Sequence, residues 1–245
     1  MQTPAPSTRP PSYSAKKRTM PVDPFDALRA EAAANMYAFL ASHGIRTTYI
    51  GIANDQLIML ETTMVPVSVT VSFVARGDAA RRTKMPEATG LIHPEVEFRL
   101  RSEDVWRGKR LACRTPLIIL QGGKTQLHYP DRPISRPFLE LIAEDDPCAG
   151  MMHAYGEMSR LALLAALHLE VGVRERGDAL HNVTLNFGRH ADGHLLIADG
   201  LNPDAWMTRN RADGVRYQKR DGNHERHGRT DYRRAVELTH NMRNL

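Results

Sequence analysis

The sequence predicts a mixed protein of α-helices and β-strands, because two kinds of hydrophobic periodicity occur along the chain. Apolar residues recur at helical spacing in residues 23–43 and again in residues 149–171. In residues 49–75 and 181–198, runs of apolar and polar residues alternate with the period of two that is typical of strands. We expect the apolar faces of these segments to form the core.

The composition is that of an ordinary globular protein. The chain has 245 residues, of which 42% are hydrophobic and 25% are charged. It contains no apolar run near the ~18–20 residues of a membrane span, and its proline-rich start lacks the apolar region of a signal peptide. These observations predict a cytoplasmic protein without a membrane partner. Cys113 and Cys148 lack CxxC spacing and are expected to be free thiols in a reducing compartment. The alternative is one disulfide between them.

The positive net charge favours anionic ligands but does not indicate which kind. A net charge of +5 and a pI of about 9.4 suit an enzyme of nucleotides, and they suit a nucleic-acid binder equally well.

The first predicted helix covers residues 23–43. Asp23 is expected to cap it, Pro24 suits its first position, and Gly44 suits the left-handed residue that ends a helix. The residues of its predicted core face are Phe25, Leu28, Ala32, Met36 and Leu40.

Strands are predicted between the first two helices. Residues 65–72 alternate valine with proline, serine or threonine, which favours a half-buried strand. Residues 92–100 and 116–120 predict further strands, and Gly122-Gly123 predicts a turn.

Two more helices complete the prediction. The second covers residues 149–171, ends at Gly172, and has methionines that we interpret as packing residues. Its predicted apolar face contains Met152, Tyr155, Met158, Leu161, Leu164, Ala165, Leu167 and His168. The third covers residues 231–242, with Tyr232, Val236 and either Leu238 or Thr239 inward. The pair His224 and His227 lacks cysteine partners at zinc spacing and is predicted to lie in a solvated loop.

The segment between these two helices carries the chemistry. Polar Asn182, Thr184 and Asn186 alternate with apolar residues and therefore share one face of a strand. Asp192-Gly193 predicts a type I′ hairpin turn, and Asp199 ends the following apolar run. A carboxylate beside a polar row is a candidate magnesium or nucleotide site. The alternative is a surface hairpin with a solvated aspartate.

Residues 182–188 and 196–204 together resemble the signature region of the SAICAR synthetases. These purine-pathway ligases use ATP to join aspartate to a carboxyaminoimidazole ribotide. The residues that match the signature are Phe187, Gly188, Asp199, Pro203 and Asp204. The residues that depart from it are Asn182, Thr184, Asn186 and Gly200, where the family has Asp, Lys, Glu and Glu.

Weaker similarities occur from about residue 12 to residue 240, in the same order as in the family. They include short motifs at 14–18, 76–80, 133–137 and 144–147. The resemblance implies an α+β, SAICAR synthetase-like fold of two lobes, in which antiparallel sheets and helices surround a nucleotide cleft. It implies a remnant of the N-terminal lobe at 23–75 and a C-terminal ligase-like lobe at 76–245. The Pro-, Ser- and Thr-rich composition of residues 1–22 predicts a flexible tail.

The resemblance also implies ATP and Mg²⁺ as cofactors. The implied catalytic residues are Asn182 and Thr184, and the implied magnesium ligands are Asp199 and Asn186. Lys16 and Lys17, with those two ligands, are implied to contact the nucleotide. The implied substrate contacts are Arg76, Arg81, Arg82, Asp146 and Arg233.

Three functions follow from this sequence. The first is a divergent ligase acting on a nucleotide substrate with aspartate or another amine. The second is a non-catalytic relative, motivated by the lost charges and by the absence of a recognisable ATP-covering hairpin. Nucleic-acid binding through residues 209–234 ranks last, because that stretch contains several acids and only two aromatics. Homo-oligomerisation is left open.

Overall fold

The computed structural model describes residues 26–75, 80–81, 84–86, 88–100, 105–106, 109–110, 117–121, 124–128, 151–198, 201–210 and 224–243. Its helices are α1 (Asp26–Ser42), α2 (Met151–Glu175) and α3 (His224–Met242). Its strands are β1 (Tyr49–Ala53), β2 (Gln56–Met59), β3 (Thr63–Ala75), β4 (Thr89–Leu100), β5 (Val105–Trp106), β6 (Lys109–Arg110), β7 (Leu117–Gln121), β8 (Lys124–His128), β9 (Asp178–Arg189), β10 (Leu195–Ile197) and β11 (Trp206–Asn210).

One antiparallel sheet organises the chain. Its strand order is β10-β9-β3-β4, and β11 also pairs with β9. Because β3 occupies one edge of β9, β10 and β11 lie one after the other along its opposite edge. The described residues also form three separate two-stranded sheets, β1-β2, β5-β6 and β7-β8. Helices and antiparallel sheets in this arrangement confirm the α+β prediction.

The core lies between one face of the sheet and the helices. The alternating valines of β3 are fully or nearly fully buried, as are Val183, Leu185 and Phe187 of β9. Met158 and Leu169 of α2 and Met36 and Leu40 of α1 belong to the same cluster. Complete burial of one such side chain stabilises the fold by about 1.5–3 kcal/mol. The core predictions for β3 and β9 are therefore confirmed, as is the packing role of Met158.

The C-terminal end of α1 forms as predicted. Gly44 has a φ of 73°, in the left-handed region that glycine adopts without strain. Ile45 N donates to Leu40 O at 3.0 Å and closes the helix end. The predicted cap Asp23, with Pro24 and Phe25, lies outside the described residues.

The prediction that α2 ends at Gly172 is wrong. The helix continues to Glu175, and the left-handed stop is Gly177, with a φ of 80°. Gly172 is required for close packing, since a Cβ there would lie 2.7 Å from Met242 Cε and 2.8 Å from Phe39 Cζ. Leu164 and Leu167 are also exposed, because small alanines occupy the buried side of the helix.

The predicted type I′ turn at Asp192-Gly193 is also wrong. Leu195 pairs with Arg189, so a longer connection separates the strands. Gly193 N donates to His190 O at 2.9 Å, His190 N donates to His194 O at 2.9 Å, and only Gly193 of the turn has positive φ. This is the three-residue hairpin with a left-handed glycine at its end.

Two further features differ from the prediction near the C-terminus. The backbone is helical from His224, so the segment of His224 and His227 is not a loop. Strand β11 was not predicted, because its sequence WMTRN lacks clear alternation. Thr239 and Met242 of α3 are fully buried. Gly122-Gly123, Cys113 and Cys148 lie outside the described residues, and the predicted domain boundaries stay predictions.

Candidate functional site

The face of the sheet opposite the core is lined by polar side chains in three rows. Strand register fixes these rows, because residues paired across neighbouring strands point to the same face. From β9 through β3 to β4, the rows are Asn182–Ser72–Glu95, Thr184–Thr70–Glu97 and Asn186–Ser68–Arg99. We call this set the polar face. It brings together the three polar residues of β9 that the sequence singled out.

Neutral oxygens occupy the centre of the polar face, and charge lies at its β4 side. Thr70 Oγ1 and Thr184 Oγ1 share a hydrogen bond of 2.9 Å. Thr70 and Ser68 are buried although they are polar. On β4, Arg99 Nη2 donates to Glu97 Oε2 at 2.8 Å, and the Glu97 side chain is only 11% exposed. The face can therefore offer hydroxyl and amide groups beside an ordered ion pair.

The edge strand beside β9 is interrupted next to this face. Ala198 N donates to Asn186 O at 2.8 Å, and Thr184 N donates to Ala205 O at 2.7 Å. Ala198 and Ala205 therefore both hydrogen-bond to the same edge of β9, and only Leu185 separates their partners along that strand. We call residues 198–205 the excursion. Asp199 follows Ala198 in sequence, but its structure lies outside the described residues.

The return of the excursion is a tight, anchored turn. Asn202 Oδ1 accepts a hydrogen bond from Asp204 N, and Asn202 O accepts one from Ala205 N, both at 2.9 Å. Asp204 Oδ2 lies 3.3 Å from Arg29 Nε, and its Oδ1 accepts a 2.8 Å hydrogen bond from Tyr232 Oη. Leu201 is buried in the core.

Arg29 and Tyr232 also contact each other. Arg29 Nη2 donates to Tyr232 Oη at 2.9 Å, and the guanidinium carbon lies 4.8 Å from the ring centroid. Burial raises the pKa of the Tyr232 hydroxyl above its ordinary value, and its hydrogen bond to Asp204 acts in the same direction. The phenol is therefore held protonated as a donor to Asp204.

The structure describes the positions of some of the predicted site residues. Asn182, Thr184 and Asn186 lie together on the polar face. Arg81 and Arg233 are exposed. The predicted residues outside the described part of the chain are Lys16, Lys17, Arg76, Arg82, Asp146 and Asp199.

Sequence reasoning missed the contribution of β4. Glu95, Glu97 and Arg99 alternate with Val96 and Phe98, a period-two pattern that places the charged residues on one face. That pattern was readable, but the pairing of β4 with β3 was not. Without the pairing, nothing in the sequence joins these charges to Thr184.

The polar face fits a hard cation only weakly. Its amide and hydroxyl oxygens are acceptable magnesium ligands, but this ion usually takes one or two carboxylates. Among the described residues, no group of three or more His, Cys, Asp or Glu side chains is arranged to hold a metal. Of the predicted donor pair, Asn186 lies on the polar face, and Asp199 lies outside the described residues. In the described part of the chain, no helix is long and apolar enough to cross a membrane.

The fold matches solved SAICAR synthetases. One, from a structural-genomics study, superposes with a TM-score of 0.66 at 18% identity and covers 93% of each chain. Another, a SAICAR synthetase (Type-2) in complex with ADP, gives a TM-score of 0.65 at 21% identity over 90% of this chain and 81% of that one. The protein therefore has the SAICAR synthetase fold.

Sequence comparison leads to the same group of proteins, although no family model matches the chain. The phosphoribosylaminoimidazole-succinocarboxamide synthase of Pyrococcus furiosus is 29% identical over 178 residues, and that of Aquifex aeolicus is 26% identical over 195. The matched region covers 72% and 79% of this chain. It spans 63% of the length of the Pyrococcus furiosus protein and 77% of the Aquifex protein. The chain is therefore similar to SAICAR synthetases in sequence over about three quarters of its length, and in fold.

Proposed function

We propose that this protein is a divergent ATP-dependent carbon–nitrogen ligase of the SAICAR synthetase type. It joins aspartate, or another amine, to a carboxylated imidazole ribotide or a related nucleotide acid, as a cytoplasmic enzyme of purine-type metabolism. The observation that carries the proposal is the convergence of Asn182, Thr184 and Asn186 on one polar face. They lie beside the excursion that contains Asp199 in sequence.

The chemistry divides among the residues of the site. ATP supplies the phosphoryl group that activates the substrate carboxylate, and Asp199 with Asn186 would hold its magnesium ion. Thr184 and Asn182 orient the reacting groups by hydrogen bonds. Thr184 cannot supply the positive charge of the lysine that the family carries there, so charge on the transferred group must be offset elsewhere. The other proposed cations are Lys16, Lys17, Arg76, Arg81, Arg82 and Arg233, with Asp146 as a proposed substrate contact.

The first test is calorimetric titration of magnesium-ATP into the wild-type protein and into Asp199→Ala. Loss of one carboxylate from a site with few charged ligands should weaken binding by at least about tenfold, since hydrogen bonds and contacts to charged groups are worth about 1.5–3 kcal/mol. Wild-type protein that binds no adenine nucleotide in the presence of magnesium would refute the proposal. Equal affinities of both proteins would remove Asp199 from the site.

A second candidate is a non-catalytic relative that binds a nucleotide or a protein partner. It is favoured by the neutral character of the β9 row, where the family has charged residues. Simultaneous replacement of Asn182, Thr184 and Asn186 by Asp, Lys and Glu separates the two candidates. Turnover with aspartate and a carboxylated imidazole ribotide that appears only in the replaced protein indicates a decayed enzyme. Turnover already present in the wild type supports the ligase.

A further inference from the structure

The excursion is fastened at both ends to the same helix. At its start, Tyr37 Oη of α1 donates to Ala198 O at 2.6 Å, and Tyr37 itself is fully buried. At its end, Arg29 of α1 contacts Asp204. The same two ends are hydrogen-bonded to β9 at Asn186 and Thr184. The two described ends of the excursion are therefore held between α1 and β9, at Asn186 and Thr184 of the polar face.

The contact at Asp204 joins three separate elements. Arg29 comes from the first turn of α1, Asp204 from the returning turn, and Tyr232 from α3. The Arg29 and Asp204 side chains are 26% and 31% exposed, so the pair is partly shielded from water. Each of the three side chains contacts the other two, which leaves the carboxylate little rotational freedom. We call these three residues the anchor.

We infer that the anchor consists of positioning residues that set the nucleotide affinity of the polar face. The inference rests on the proposed function, because it assumes that the ligand binds beside the excursion. The anchor fixes Asp204 and therefore the adjacent Ala205, whose carbonyl oxygen accepts a hydrogen bond from Thr184 N. The Thr184 hydroxyl in turn shares a hydrogen bond with the Thr70 hydroxyl on the polar face. Loosening Asp204 therefore disturbs the site without removing any group that touches the ligand.

A second α1–α3 contact supplies a matched control. Asn35 Nδ2 of α1 donates to Thr239 Oγ1 of α3 at 3.3 Å, in the buried interface between the helices. Tyr232→Phe and Thr239→Val each remove one α3 hydroxyl that bonds to α1. Only Tyr232 also reaches Asp204 and hence the excursion. A role limited to holding α1 against α3 would be disturbed by either change.

The experiment measures magnesium-ATP affinity by calorimetry, and amide hydrogen exchange of residues 201–205 in the free protein. Tyr232→Phe should raise the Kd about tenfold, because a loosened excursion leaves only about a tenth of the free protein in the binding-competent arrangement, and it should speed exchange in 201–205. Thr239→Val should leave the Kd within about twofold and the exchange unchanged, although it lowers the melting temperature.

The outcomes separate the two hypotheses. Equal changes of Kd and exchange in both variants, or unchanged Kd and exchange in Tyr232→Phe, would overturn the positioning role. A wild-type protein that binds no magnesium-ATP refutes the proposed function instead. In that case faster exchange of 201–205 in Tyr232→Phe alone still shows that the anchor orders the excursion, and unaltered exchange refutes the anchor as well.

Discussion

At the scale of single residues, the centre of the polar face depends on one hydroxyl pair. Thr70 and Thr184 are separated by 114 positions in sequence, yet their oxygens lie 2.9 Å apart on neighbouring strands. A buried hydroxyl that loses its partner keeps the cost of its own desolvation, about 1–3 kcal/mol. The pair therefore couples β3 and β9 in stability as well as in geometry.

This coupling can be measured with a double-mutant cycle. Thr70→Val and Thr184→Val should each lower the free energy of unfolding by about 1–2 kcal/mol, because each leaves the other hydroxyl unpaired. The double variant should cost less than the sum of the two single changes, since it leaves no unpaired hydroxyl. Urea unfolding of the four proteins gives the coupling energy. Strict additivity would mean that the hydroxyls do not interact in solution.

At the scale of elements, α2 contains two glycines in contrasting surroundings. Alanine is preferred over glycine in a helix interior by about 1 kcal/mol. A Cβ at Gly156 meets nothing within 4 Å, whereas a Cβ at Gly172 would collide with the buried side chains of Phe39 and Met242. The same substitution should therefore act in opposite directions at the two positions.

Gly156→Ala should stabilise the protein by about 0.5–1 kcal/mol, through the helix preference alone. Gly172→Ala should destabilise it by about 1–3 kcal/mol, because the buried side chains of Phe39 and Met242 must shift to make room. Thermal and urea unfolding of the two variants measure both effects. Stabilisation of the Gly172 variant would contradict the close packing of the three helices.

The periodicity of the sequence predicted the strands and their buried faces correctly. It did not predict the features that depend on contacts between residues far apart in sequence. The alternation in β3 and β9 gave the strands and their buried faces, because a period of two is a property of neighbouring residues. Gly172 looked like a helix stop, since sequence alone does not show Phe39 and Met242 approaching it. Asn182, Thr184 and Asn186 were identified as a row, but the β3 and β4 rows beside them depend on strand pairing. Asp192-Gly193 was identified as a turn, but its length depends on the register of β10.

At the scale of the whole molecule, Tyr232 links stability to pH. Burial raises its pKa in the folded protein above the value near 10.0 of a free phenol. The folded state therefore favours the protonated phenol, and this contribution is complete below about pH 10. It is lost as the pH rises through the folded-state pKa.

The difference in unfolding free energy between wild type and Tyr232→Phe should thus be largest near pH 8 and smaller at pH 11. Comparing the two proteins at each pH removes the effect of all other titrating groups. Denaturant unfolding in matched buffers measures the difference. A gap that widens between pH 8 and pH 11 would mean that the folded state favours the phenolate.

The interrupted edge strand separates the register of β10 and β11 from the sequence of the excursion. Strands β10 and β11 each take their register from β9, and the hydrogen bonds at Asn186 and Thr184 close the gap between them. Substitutions of excursion residues other than Asp204 therefore need not shift either strand. The residues of this short segment can therefore change during evolution, and ligand specificity can change with them, while the fold is kept.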